Sequence, residues 1–230
     1  MVAPAERVNL NHLMYVRYKH TDLLIAHKPL LDFGFDVVKK TADRIWYRGF
    51  GGDPVCYISE KSEDGKAQLL GGGWAVDNYD DLEIAARIPG ASSIADCENP
   101  IGGKMVTLED PTGGLVYVHW GHNQHSNEQM KTSKTLTFNK GGKEQRLKEC
   151  QCLHDRPSRI RKIGHYGYEV SHSDFEAVRN WYFERLTLAP TDSLFDTETA
   201  KDVMTFAHVD KGERYVDYQV SSIQAVEKVI

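Results

Sequence analysis

Lys162-Ile-Gly-His165-Tyr-Gly-Tyr-Glu-Val170 sets one histidine inside a segment that reads as a strand. A helical segment follows at once, Asp174 to Leu186. Its Phe175, Val178, Trp181, Tyr182 and Leu186 fall at helical spacing, the pattern of a buried helix face. Strand-like runs come next and end in Phe206-Ala-His208-Val-Asp210-Lys-Gly-Glu-Arg-Tyr-Val-Asp217. The order is strand, helix, then three strands, from Lys162 to about Val220.

The same order occurs twice upstream. Val8 to Arg17 alternates as a strand and carries His12. Asp22 to Phe33 reads as a helix stopped by Gly34. Short strands are expected over Asp36–Lys39, Arg44–Phe50 and Val55–Glu60, the last two separated by the turn Gly51-Gly-Asp-Pro54. A second unit opens with the strand Ala67–Val76. Asp77 is placed to cap a helix over Asn78–Arg87, and Asp80, Asp81 and Glu83 suit its positive N-terminal end. Strands Lys104–Glu109 and Leu115–Trp120 flank the turn Asp110-Pro-Thr-Gly-Gly114.

These patterns predict an α+β fold of repeated βαβββ modules at roughly 8–60, 66–120 and 163–220. Two such modules close a curved sheet around a cavity. The first two are expected to pair as an N-terminal domain over 7–121. Polar, aperiodic 122–161 reads as a linker, and 162–230 as a partial C-terminal domain. The third module has no fourth partner, since ten residues after Val220 are too few for another module.

The chain has 230 residues, 40% of them hydrophobic, which is enough for a real core. A net charge of −5 without a basic stripe gives no reason to expect nucleic-acid binding. No run of eighteen apolar residues and no signal peptide is found, so no membrane partner is expected and a cytoplasmic location is the default. Cys56, Cys97, Cys150 and Cys152 then read as free thiols. Cys150-x-Cys152-x-His154 has the wrong spacing for a zinc knuckle.

Gly71-Gly-Gly-Trp74, Val106-Thr-Leu-Glu-Asp-Pro111, Lys162 to Gly167 and Phe206 to Asp217 occur in this order. Together they resemble the vicinal oxygen chelate superfamily, and within it the two-domain extradiol ring-cleaving dioxygenases of the catechol and dihydroxybiphenyl type, especially their fungal relatives. The resemblance implies a metal-free N-terminal domain and a C-terminal domain holding Fe(II) in a two-histidine, one-carboxylate set. It implies a catechol-type aromatic substrate, dioxygen as co-substrate and an acid–base residue. A homo-oligomer is compatible with it.

Carried over by position, the first metal ligand is His165. The second ligand position is Tyr218, a substituted site, because a phenol with a reference pKa of about 10 is a poor ligand. The third, a glutamate of the fourth module, has no counterpart, and the sequence departs from the family pattern from Tyr218 onward. These departures predict an incomplete metal site, and read as a truncated isoform or gene model. His208 is the candidate acid–base residue. In the N-terminal domain the corresponding positions are His12, Tyr57 and Tyr117, and His12 is expected to be a satisfied core histidine. His119, His122 and His125 recur at a spacing of three without a framing carboxylate, as in a solvated loop. Gly71-Gly-Gly73 reads as close backbone approach or a bulge, since no helix start follows it. Two other functions fit these residues: a non-catalytic aromatic-ligand-binding protein, and a glyoxalase-type isomerase or lyase.

Overall fold

The computed structural model describes residues 6–125, 160–209 and 218–223. The linker core and Cys150, Cys152, His154, Asp210 and Asp217 lie outside them. The first module comprises β1 (Leu10–His20), α1 (Leu23–Asp32), β2 (Asp36–Lys40), β3 (Arg44–Arg48) and β4 (Tyr57–Lys61). The second comprises β5 (Gln68–Val76), α2 (Tyr79–Ala86), β6 (Ala95–Asp96), β7 (Lys104–Glu109) and β8 (Leu115–Trp120). The third comprises β9 (Tyr166–Ser171), α3 (Phe175–Arg185), β10 (Leu188–Phe195), β11 (Asp202–Val209) and β12 (Tyr218–Ile223). The expected α+β fold of βαβββ modules is therefore observed.

Modules one and two share an eight-stranded sheet in the order β2-β3-β4-β1-β5-β8-β7-β6. Module three forms a sheet in the order β10-β11-β12-β9. Each module pairs its first and last strands in parallel: β1 with β4, β5 with β8, and β9 with β12. The two modules of the large sheet meet where β1 runs antiparallel to β5.

Local chemistry accounts for these boundaries. Asp22 accepts a hydrogen bond from the Leu24 amide and starts α1, and Gly34, at φ 90°, lets the chain leave it. Asn78, rather than the expected Asp77, occupies the N-cap position of α2, where Asp80 and Asp81 lie in the first turn. Asp110 shapes its turn by accepting from the Thr112 amide and hydroxyl at 2.8 Å and from the Gly114 amide at 3.0 Å.

The third module is not an isolated piece. The Val8 amide donates to the Arg185 carbonyl, and Thr187 returns a bond to the Val8 carbonyl. One apolar cluster joins Leu10, Trp74, Leu82 and Val118 to Tyr166, Val178, Tyr182, Leu186 and Val220. The Tyr168 hydroxyl donates to Asp110 across the same junction. The α3 stripe is core, as its spacing predicted.

The glycine run explains how this junction and the β1–β5 seam close so tightly. A Cβ at Gly72 would lie 2.4 Å from the Tyr166 ring, and one at Gly73 would lie 2.2 Å from the Tyr15 ring. Close backbone approach is thus the role of Gly72 and Gly73. Among the described residues no helix is long and apolar enough to cross a membrane.

Candidate metal centre

Strand β1 buries Leu13, Met14, Tyr15 and Val16 in succession, which a regular two-residue period does not do. Register shifts against β5 between Leu10 and His12, and between Leu13 and Tyr15, supply the reason. Such bulges re-aim side chains. Leu13 and Val16 join the core shared with module three, while Met14 and Tyr15 join Trp46, Ile58, Ile101 and Tyr117 inside the paired modules.

That interior carries a series of polar groups. Tyr15 Oη lies 2.9 Å from His119 Nε2, and both side chains are buried. Arg17 reaches the Tyr117 hydroxyl at 3.4 Å and bonds to Glu60, which also pairs with Arg44 at 2.9 Å. Burial alone would raise the Glu60 carboxyl, but the two guanidiniums outweigh it and hold the pKa below its ordinary value. Burial raises Tyr15 and Tyr117, so both remain phenols. Burial, and then the neighbouring His122, lower His119 to about 3. Next to this series lies a cavity of about 200 Å³ lined in part by Tyr15, Arg17, Arg44, Trp46 and Ile58.

Beyond His119, at the β8 exit, three segments converge. His12 comes from β1, Asp53 from the turn between β3 and β4, and His122 from just past Gly121, whose φ is 67°. His12 Nε2 lies 2.8 Å from Asp53 Oδ1. His12 Nδ1 lies 2.7 Å from Asn11 Oδ1, while the Asn11 amide group donates to Asp77. The His12 and His122 rings stand edge to face, 6.2 Å between centroids. One ligand atom from each of His12, Asp53 and His122 lies within 4.8 Å of the others. Among the described residues this is the one such group of three histidine, cysteine or acidic side chains.

The side chains of His12 and Asp53 are 31% and 14% exposed, so the group is neither sealed core nor open surface. Burial and then His12 lower the His122 pKa, against the pull of Asp53 and Asp77. Two imidazoles and a carboxylate are a donor set suited to divalent first-row metals.

This arrangement corrects three expectations. His12 is a partly exposed residue with both ring nitrogens within hydrogen-bond distance of Asn11 and Asp53, not a core histidine. His119 is fully buried on β8 rather than in a solvated loop, and of the other two histidines His122 is half-buried and His125 exposed. The carboxylate that the histidine run lacked in sequence is Asp53. No fixed spacing announces the group, because its members stand at 12, 53 and 122; a turn aspartate and two unexplained histidines were the only signals.

The residues nominated in the third module are placed differently. His165 is exposed and immediately precedes β9, so it opens the strand instead of sitting in its middle. His208 is half-buried on β11, with Nδ1 2.9 Å from Thr191 Oγ1. The Tyr218 backbone pairs in register with Tyr166 and Ala207. Neither His165 nor His208 belongs to a three-ligand group among the described residues. Of the N-terminal counterparts, Tyr57 bonds to His20 and stacks on Tyr18, and Tyr117 bonds to Arg17.

Solved structures share this architecture. A variant of homoprotocatechuate 2,3-dioxygenase from B. fuscum superposes with a TM-score of 0.71 at 17% identity, over 96% of this chain and 55% of the enzyme. The 2,3-dioxygenase LapB from a Pseudomonas species gives 0.70 at 13% identity, over 95% and 72%. An Mn(II)-bound glyoxalase from Novosphingobium aromaticivorans gives 0.68 at 15% identity, over 94% and 62%. This is the vicinal oxygen chelate fold. The chain spans about 55–62% of the length of the glyoxalase and the homoprotocatechuate enzyme. No family model and no curated protein matches the sequence.

Proposed function

We propose that this protein is a relative of the ring-cleaving dioxygenases, which act on a catechol-type aromatic substrate with Fe(II) and dioxygen, and that the described residues of this chain leave its own iron set incomplete. One observation carries the reading: the three modules follow, over 96% of the chain, the order and packing of homoprotocatechuate 2,3-dioxygenase. The chain's own chemistry supports an aromatic ligand. The cavity of the paired modules has aromatic and aliphatic walls, with Arg17, Arg44, Asp96 and Glu98 as its charged groups. Such a mixture of apolar surface and a few placed polar groups orients a small ring.

In this reading His165 is the first position of the family's metal set, Tyr218 the second, and His208 the group that handles a proton. A lone imidazole does not fit a ferrous ion, and the described residues around His165 add no second histidine or carboxylate. No step is therefore assigned to an ion at that place. The Tyr15 phenol and the neutral His119 imidazole hold a proton between Oη and Nε2 at 2.9 Å inside the paired modules.

The test is catechol binding followed by oxygen consumption. Protein prepared anaerobically and supplied with ferrous iron should bind members of a panel of catechols but consume no oxygen beyond that of the iron alone. Catechol-dependent consumption abolished by His165→Ala would show a complete iron site and contradict the incomplete set, and failure to bind any diol of the panel contradicts the family reading.

A further inference from the structure

We infer that the paired N-terminal modules hold a divalent first-row metal ion between His12, Asp53 and His122, at a position separate from the one His165 marks. The resemblance assigned no metal to this domain, so the inference comes from the geometry alone.

The orientation of His12 is the first argument. The Asn11 amide nitrogen donates to Asp77, which turns the Asn11 carbonyl oxygen toward the His12 ring. That oxygen can only accept, so His12 Nδ1 carries the proton of this 2.7 Å bond. Nε2 then faces the Asp53 carboxylate at 2.8 Å. A lone pair facing a carboxylate at this distance repels it unless a cation stands between them. That cation is either a second proton or a metal ion. A ligand histidine whose far nitrogen donates to an oriented oxygen is the usual outer support of a metal site, fixing tautomer and ring direction.

His122 is the second argument. Its Nδ1 is buried and has no hydrogen-bond partner among the described residues. A proton shared by His12 and Asp53 leaves this nitrogen unexplained. An ion bound to all three residues gives the His122 ring a role, since one of its nitrogens lies within 4.8 Å of the ligand atoms of His12 and Asp53.

The third argument is that the donors come from both modules. His12 and Asp53 belong to the first, and His122 follows the last strand of the second. An ion here would clasp the β1 start to the β8 exit. Three protein donors of the N₂O type leave coordination positions open to water or to a bidentate oxygen ligand. The site would thus be a binding centre as well as a clasp.

Cobalt(II) is the probe, because its visible absorption reports coordination without any turnover. Full-length protein is stripped with a chelator and titrated with Co(II), followed by absorption and calorimetry. The inference predicts one ion per chain. Asp53→Asn, which keeps the side-chain shape, and His122→Ala should each weaken binding by at least ~10-fold. Asn11→Ala leaves all three donors in place and should weaken it by roughly 10-fold through lost orientation. His165→Ala should bind Co(II) like the unaltered chain.

Failure of the unaltered chain to bind, or equal binding by Asp53→Asn and His122→Ala, overturns the inference. Loss of binding in His165→Ala alone moves the ion to the third module and also overturns it. That last result leaves the family reading standing, since catechol binding tests it separately.

Discussion

Gly72 of β5 lies directly against Tyr166, the first residue of β9: a Cβ on residue 72 would sit 2.4 Å from the tyrosine ring. Backbone of the second module and side chain of the third meet with no space for a methyl group. Tyr166 is buried there, 6.1 Å from the Trp74 ring. This contact is one of those that join the two sheets of the molecule.

Gly72→Ala should therefore lower stability by about 1–3 kcal/mol, the usual cost of overpacking a filled core. Urea unfolding followed by tryptophan fluorescence measures it. The loss should shrink in a Tyr166→Leu background, where the clashing ring atoms are gone. An equal loss in both backgrounds would mean that the alanine acts on β5 alone and not through the junction.

Asp110 holds the same junction from the other side. Its buried carboxylate accepts from Thr112, Gly114 and Tyr168. Tyr168→Phe removes the bond to Asp110 that crosses between modules, together with the 3.3 Å contact to the Tyr182 hydroxyl, and should cost about 1.5–3 kcal/mol, the range for a hydrogen bond to a charged group. Asp110→Ala should cost more, because the turn amides lose their acceptor as well. Thermal midpoints that rank the two variants the other way would contradict this account of the turn.

His119 makes a prediction about pH. Its native pKa is lowered to about 3, against 6.5 for a free imidazole, chiefly by burial and then by His122. The unfolded chain takes up the proton as pH falls through 6.5, whereas the native protein resists until about 3. Stability is thus complete above pH 6.5 and is lost on acidification across that window, by up to about 1.4 kcal/mol per pH unit. His119→Phe removes this dependence while also leaving Tyr15 without its partner, so slopes rather than absolute stabilities are compared. Urea midpoints between pH 7 and pH 5 should fall less steeply in the variant; parallel curves would show that His119 is not the buried neutral base.

Much of the fold was legible because its signals are local. Gly34 and the Asp110 turn mark chain reversals, the α3 apolar positions recur at helical spacing, and Gly71-Gly-Gly73 continues into a strand instead of a helix. The metal-ligand group was not legible, because none of its signals is local. Asp53 reads as an ordinary turn residue, and only the β3–β4 connection brings it to His12. Bulges in β1 shift the alternation that would have placed His12 and Tyr15 by counting. His119 falls beside two more accessible histidines in sequence, yet the strand carries it inward to Tyr15. Such placements depend on register between strands, which no single segment encodes.

The most direct test of the proposed His12–Asp53–His122 centre is anomalous diffraction from crystals grown with Mn(II), recorded at the manganese edge. The account predicts a peak bounded by His12 Nε2, the Asp53 carboxylate and the His122 imidazole. A peak beside His165 with none at that group would contradict it.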